Sequence, residues 1–390
     1  MTPVTLDNEL GLVLIAAASA APSLHNCQPW RFRLDCATRT VFVHALPQRA
    51  PTLTDPDTRA VHISVRAALG NLQAAAVHLG WEPVVRLLPR PEQPDLLATV
   101  RLAGSPRAAL LRRLDLYQAI WRRRSSRLPF SAEPVPAAVL AELAEAARLD
   151  GADLHRPGPS ERRALLDLTA RAERRNLRHP GRHAENLAAL TAPGTHVGIP
   201  AYALGPQDST GVVPLRTFVG PTDGLPRERA AFEADPQLLM LTTRHDRRAD
   251  WLRAGQALQH VLLLLTLHGL RASMLYQALE WPDLRAQLAD PEHGRCAPQM
   301  LLRIGYGPAG CPTPRLRAEL PEADGQALAA APLAGSTPTV SGRIGPSGPI
   351  GRAGASGRLP DDPTPPVQAA GPAGTEKRWQ TARRTGRAAR

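Results

Sequence analysis

The sequence predicts a mixed α+β fold built from two related halves and followed by a C-terminal tail. Three observations carry that reading. Stretches with helical spacing of apolar residues are interleaved with short runs that switch between apolar and polar at every residue. Two of the helical stretches repeat: Ala68-Leu69 followed by Gly80 is matched by Ala257-Leu258 followed by Gly269, at a constant offset of 189 residues. Past about Ala331 the 390-residue chain turns to Pro, Gly, Ala, Ser and Arg, with Trp379 its lone aromatic. Such a segment cannot bury enough apolar surface to offset its ordering entropy, so disorder is expected there. The expected organisation is a first half over 1–105, a second half over 106–325 and a tail over 326–390.

Taken in order, the first half reads as a helix over Leu6 to Ala20, strands near Arg31 to Leu34 and Thr40 to Ala45, a helix from His62 to Leu79, and strands near Val84 to Leu88 and Ala98 to Leu102. A helical pattern from Arg107 then runs through Ile120 into WRRRSSRLPF. Further helices are expected over Pro136 to Ala147 and Ser160 to Leu177. Between Pro193 and Pro226 a Pro/Gly-punctuated stretch without periodicity is long for an internal connection, and reads as a lid or binding loop over 193–226. A strand (Gln237 to Thr243), a helix (Arg248 to Leu270), an extended piece (Ala272 to Leu275), a helix (Pro282 to Leu288) and a strand (Gln299 to Tyr306) complete the pattern. Within the second long helix, QALQHVLLLLTLHGL is apolar nearly all round, as expected of a helix buried on every side.

Composition narrows the function classes. With 43% hydrophobic residues a sizeable core is available, and the net charge of +12 raises the question of a nucleic-acid or anionic-membrane partner. Residues 331–390 hold nine basic side chains against three acidic ones, which is half of that charge in the expected tail. Lys377 is the only lysine, a bias that fits GC-rich coding better than selection for phosphate contacts, so neither nucleic acid nor membrane is expected as a partner. Cys27, Cys36, Cys296 and Cys311 show no metal-like or disulfide-like spacing, which favours a reducing compartment, the cytoplasm. The apolar stretch Leu10 to Ala21 lacks the basic flank of a secretory leader and reads as part of the fold.

Two segments carry recognisable chemistry. RRRSSRLPF (Arg122 to Phe130) places four guanidiniums and two hydroxyls where a helix gives way to extended chain, suited to a phosphate monoester or equally to a solvated basic helix end. APSLHNCQPW (Ala21 to Trp30) offers Ser23, Asn26 and Gln28 to the edge of a heteroaromatic ring, though an ordinary Asn/Pro turn has the same composition. Ser23 and His25 match neither a nucleophile elbow nor a known triad order. GYGPAG (Gly305 to Gly310) satisfies the letter of a dinucleotide fingerprint, but Pro308, Pro312 and Pro314 prevent the helix that must follow. His179 and His183 have i,i+4 spacing, and the intervening Pro180 and Gly181 are expected to break any shared helix and so any metal site.

Together APSLHNCQPWRF, RRSSRLPF, GQALQHVLLLLTLHGLRASMLYQALEWPDLR and PQMLLRIGYG, in that order, resemble the nitroreductase family of FMN oxidoreductases, and within it the Acg-like actinobacterial branch. The resemblance spans residues 5–320. It implies a three-layer α/β/α fold in which PSLHNCQPW precedes RRSSR, the inverse of the usual order, as in a fused pseudo-dimer keeping one composite flavin site. It further implies that Arg123, Arg124 and Ser125 face the FMN phosphate with support from Arg127. By the same resemblance Pro22, Ser23, Asn26 and Gln28 line the ring and ribityl, Ser273, Met274 and Leu275 pass the isoalloxazine edge, and Arg315 supplies a C-terminal basic group. The implied activity is reduction of a small-molecule electron acceptor, nitroaromatic, quinone or similar, by NADH or NADPH through flavin N5 in ping-pong fashion, with no catalytic side chain required. A flavin-holding protein with an occluding lid is the alternative. The fused chain would act as a monomeric pseudo-dimer or as a homodimer.

Overall fold

The computed structural model describes residues 7–104, 115–191, 195–220, 223, 227–288 and 296–319, all within one compact unit. The expected helical stretch over Arg107 to Leu114 and the expected disordered tail lie outside the described residues. In chain order the elements are α1 (Asn8–Ser19), β1 (Trp30–Asp35), β2 (Thr40–Ala45), α2 (Arg59–His78), β3 (Glu82–Leu87), β4 (Leu96–Ala103), α3 (Asp115–Arg122), α4 (Ala137–Leu149), β5 (Asp153–His155), α5 (Pro159–Arg178) and α6 (Pro180–Ala188). Four two-residue strands follow: β6 (Leu190–Thr191), β7 (Ile199–Pro200), β8 (Gln207–Asp208) and β9 (Arg229–Ala230). The chain closes with β10 (Gln237–Thr243), α7 (Arg248–Leu267), β11 (Arg271–Leu275), α8 (Pro282–Gln287) and β12 (Ala297–Gly305).

Two four-stranded antiparallel sheets carry the body, one in the order β1-β2-β4-β3 and the other in the order β5-β10-β12-β11. The two orders are the same once each strand is matched in sequence. The helix between the middle strands is α2 in one half and α7 in the other; both have 20 residues, both start and stop 189 residues apart, and each is followed by a left-handed glycine, Gly80 (φ +85°) or Gly269 (φ +72°). Only glycine reaches that conformation without Cβ strain, which explains why the repeat retains it.

α2 and α7 pack on one another between the sheets. Asn71 accepts from Gln259 Nε2 at 2.6 Å across the crossing and donates to the Ala17 carbonyl of α1 at 2.9 Å, so two buried amides fix three helices. The run Val261 to Thr266 is buried throughout. The first sheet covers α2 with one face only: Trp30 and Phe32 point inward, whereas Arg31, Arg33, Arg86 and Arg101 are exposed on the other. α2 and α7 thus lie between the two sheets, and the outer face of the first sheet is solvated. In the second sheet, β12 is buried from Pro298 to Gly305, its outer side covered by Phe130 and Phe232 stacked on the buried Arg303.

The stretch expected as a lid is tied down by short ladders, β6 with β7 and β8 with β9. A second difference concerns α6. Pro180 opens this helix at its first turn, where no N–H is needed, and His179 caps it by accepting the Arg182 N–H on Nδ1 at 3.3 Å. Among the described residues no group of three His, Cys, Asp or Glu side chains gathers as for a metal, and no helix is long and apolar enough to cross a membrane.

The helix crossing sets a test of opposite signs. A Cβ at Gly255 would collide with the Ile63 carbonyl oxygen, whereas one at Gly70 meets only Gln259 side-chain carbons at ordinary contact distance. Gly255→Ala should cost about 1–3 kcal/mol in urea unfolding, by overpacking. Gly70→Ala should be neutral or add up to about 1 kcal/mol from helix propensity. Equal effects would contradict the crossing geometry.

Candidate functional site

The turn after α1 is conformationally costly. His25, Asn26 and Gln28 all have positive φ, at +49°, +56° and +48°, in residues that bear a Cβ. Backbone strain of this kind persists only where the surroundings impose it. Here the Gln28 N–H donates to Ser23 Oγ at 3.0 Å, and two side chains pull in distant segments. Asn26 Nδ2 donates to the carbonyls of Gly198 (2.8 Å) and Pro314 (3.0 Å). Gln28 donates to the His196 carbonyl at 2.7 Å and accepts from the Leu316 N–H at 2.9 Å. The turn thus gathers the first residues of the lid and the stretch after β12 onto one spot.

At that spot three guanidiniums converge. Arg123, Arg124 and Arg315 line one cleft together with Pro22, Ser23, Asn26, Ser125, Arg127 and Met274. Arg123 is only 5% exposed, and among the described residues its Nε and Nη1 have no partner, while Nη2 reaches the Ala20 carbonyl at 3.4 Å. Arg315 donates to Asn26 Oδ1 (2.8 Å), Thr313 Oγ1 (2.6 Å) and the Ala21 carbonyl (3.2 Å), and its Nε is unpartnered. Burial, then Arg315 and Arg124, press the Arg123 pKa down to about 9, and no carboxylate among the described residues opposes them. Arg123 stays charged at neutral pH. A buried cation without a counter-charge is expensive, and the chemistry that relieves it is a small polyvalent anion.

Past Pro22, Ser23 and Met274 the cleft continues into an apolar compartment lined by Ile63, Leu258, Leu215, Phe218, Ser273 and Met300. The two parts have volumes of about 880 and 750 Å³, open mouths included. β11 forms one wall. It is an edge strand, paired with β12 on one side and bridged to Ser125 on the other at Ala272 alone. The 193–226 stretch borders the compartment with Leu215, Arg216 and Phe218. Arg216 is held by Glu280 and by Asn186 Oδ1 (2.9 Å), and Thr217 donates twice to Glu173 Oε1 at 2.8 Å. Glu280 also accepts from Asn176 (3.0 Å) and Arg182 (3.4 Å), and burial raises its pKa to about 7 against the pull of both arginines.

Of the residues singled out in the sequence, Pro22, Ser23, Asn26, Arg123, Arg124, Ser125, Arg127, Met274 and Arg315 border the anion-facing part, and Ser273 borders the apolar part. Gln28 and Leu275 border neither. Gln28 is fully buried and its carboxamide is spent on the lid and the C-terminal stretch, while Leu275 is turned into the core. Arg127 stands apart from Arg123: it donates to the Ala203 carbonyl at 3.0 Å and feels Arg227 and Arg216, which with burial lower its pKa to about 10. The glycines of GYGPAG serve close approach, since a Cβ at Gly307 would meet Phe130 and one at Gly310 the Ser125 carbonyl. Sequence reasoning passed over His25, Arg216 and Phe218. The first was weighed only as a nucleophile's partner, and the other two lie in a segment with no periodicity to read.

If the cluster is an anion site, millimolar inorganic phosphate should raise the melting temperature of the wild-type protein. Arg123→Met should abolish that gain while leaving the melting temperature without phosphate equal or higher, because an uncompensated buried charge has been removed. A lower phosphate-free melting temperature for Arg123→Met would contradict this reading.

The chain is similar over most of its length to mycobacterial proteins. It is 32% identical over 322 residues, 79% of this chain and 90% of the relative, to a Mycobacterium tuberculosis protein named "Putative NAD(P)H nitroreductase". A second protein of that organism, "Putative NAD(P)H nitroreductase acg", is 30% identical over 311 residues, 79% of this chain and 91% of its own. No family model matches. Among solved structures, a nitroreductase with bound FMN from Bacteroides fragilis overlaps 49% of this chain and 87% of its own at a TM-score of 0.30 and 14% identity. The FMN and NADPH-dependent nitroreductase NfnB of a Sphingopyxis strain overlaps 49% and 87% at 0.30 and 21%. Overlaps this partial assign no residue. The similarity to the mycobacterial proteins, over nine-tenths of their length, is decisive: the chain belongs to the nitroreductase family, in the branch that contains acg.

Proposed function

We propose that the protein is an FMN-dependent NAD(P)H oxidoreductase that reduces nitroaromatic, quinone or related acceptors. The single observation that carries this is that a pocket bordered by Arg123, Arg124 and Arg315 shares Pro22, Ser23, His25 and Met274 with an apolar compartment, since FMN is a phosphate monoester joined by a polar chain to a planar ring. The residues present fit the group: among the described residues Arg123 has two orphaned donors and Arg315 has one, and Ser125 and Arg124 border the same space. The relatives' names point to NAD(P)H as reductant.

In this reading Arg123, Arg124 and Arg315 hold the phosphate. Ser23 and Asn26 border the polar middle, and β11 with Met274 borders the ring. FMN, when bound, supplies hydride transfer between NAD(P)H and the acceptor. The side chains bind, orient and exclude water, in keeping with a cleft that presents no paired acid and base. The matched strand order of the two sheets and the 189-residue offset of α2 and α7 support a fused pseudo-dimer, with PSLHNCQPW and RRSSR contributed by different halves to one composite site.

One observation favours a second reading, a flavin-holding protein with little turnover. Phe218 and Leu215 roof the apolar compartment, and Arg216 bolts them to Glu280. An absorption spectrum before and after anaerobic NADPH separates the two readings. Bound flavin that bleaches within the time of a stopped-flow trace is expected of the oxidoreductase. Bound flavin that stays oxidised, but bleaches in Arg216→Ala, is expected of the occluded form. Protein that binds no added FMN would overturn both.

A further inference from the structure

His25 is the group this account leaves unused. It borders both the anion-facing and the apolar part of the cleft, is only 8% exposed, and neither ring nitrogen has a partner among the described residues. Its backbone is held at φ +49°, and its ring meets Phe218 of the lid edge-on, with centroids 5.1 Å apart at 67°. Burial, reinforced by Arg216 and Arg127, keeps its pKa well below 6.5. The imidazole is therefore neutral, with one donor and one acceptor. Were its task only to fill space beneath Phe218, a phenyl or isobutyl group would fill it without two unmet polar atoms. A buried polar pair in a strained turn is stable only when something else completes it.

We infer that His25 is a ligand-binding residue whose ring N–H donates to an oxygen on the planar molecule occupying the cleft. That oxygen belongs either to a ring carbonyl of the flavin or to the quinone or nitro group of the acceptor above it. The chemistry is the same, a hydrogen bond from a neutral donor that carries no charge into the compartment. A neutral donor suits a ring edge whose oxygen gains negative charge on reduction, while leaving the arginines to the phosphate. The inference rests on the flavin reading of the cleft.

The test uses the full chain with His25→Phe, which fills the space without a donor, and His25→Asn, which keeps a donor and tolerates the left-handed backbone. His25→Phe loses the unmet polar atoms but tolerates the left-handed backbone less well, so its melting temperature without ligand should stay close to that of the wild type; a structural histidine would give a clearly lower one. If the partner oxygen is the flavin's, FMN should bind His25→Phe about tenfold or more weakly, with a shifted absorption band, and His25→Asn should recover part of the loss. If it is the acceptor's, FMN affinity and spectrum should stay as in the wild type while KM for a benzoquinone rises by a similar factor, again with partial rescue. Unchanged FMN affinity, spectrum and KM in His25→Phe, or a lowered melting temperature that accounts for the losses, would overturn the inference. Failure of the wild-type protein to bind FMN would instead remove the flavin reading and this inference with it.

Discussion

A buried guanidinium, Arg123, beside a half-buried one, Arg315, with no counter-charge among the described residues, is the constraint around which the rest of the site is arranged. Placing one cation away from water is unfavourable, and placing a second beside it adds repulsion. The fold accepts both by surrounding them with oxygen dipoles: Ala20 for Arg123, and Asn26, Thr313 and Ala21 for Arg315. Those acceptors come from the end of α1, the strained turn and the stretch after β12. Each is a neutral dipole, sufficient to hold a guanidinium but not to neutralise it. The free protein therefore carries an unmet positive potential that a phosphate monoester completes.

That arrangement depends on the helix pair beneath it. α2 and α7 cross closely because Gly255 lets the helices touch, and the Asn71 to Gln259 hydrogen bond ties the crossing to α1. α1 in turn delivers Pro22 to Gln28 at its C-terminal end, and α7 is followed by β11. A rigid crossing therefore fixes the distance between the turn and the strand that form opposite sides of the cleft. The lid is a third component, attached through polar contacts at both ends: Asn26 and Gln28 hold Gly198 and His196, while Glu280 and Glu173 hold Arg216 and Thr217. Between those polar ties, Ile199, Ala203, Leu204 and Phe218 form a small apolar cluster of their own, so the segment is held by both kinds of contact.

Much of this was legible in the sequence. The 189-residue offset anticipated the matched helices, because a glycine needed at a left-handed helix end is retained wherever that end recurs. RRSSR and PSLHNCQ were readable as parts of one cleft only through the resemblance carried by the four motifs together, since each alone fits a solvated helix end or an ordinary turn equally well. What escaped the sequence was geometry. Which face of the first sheet is solvated shows only in the positions of Arg31, Arg33, Arg86 and Arg101. Gln28 looked like a cleft residue because its carboxamide can bond a ring edge, yet the same amide bonds backbone equally well, and burial decided between them. Pro180 reads as a breaker until its position at the first turn of α6 is known. Arg216 and Phe218 lie in an aperiodic stretch where no pattern separates a roof from a loop.

The central claim is that buried arginines select a phosphate. The most direct measurement compares equilibrium binding of FMN and riboflavin, which share the ring and ribityl chain and differ only in that group. Two charge-assisted contacts in a desolvated pocket imply that FMN binds about a hundredfold or more tightly than riboflavin, with the difference shrinking in Arg123→Met. Equal affinities for the two molecules would contradict the account.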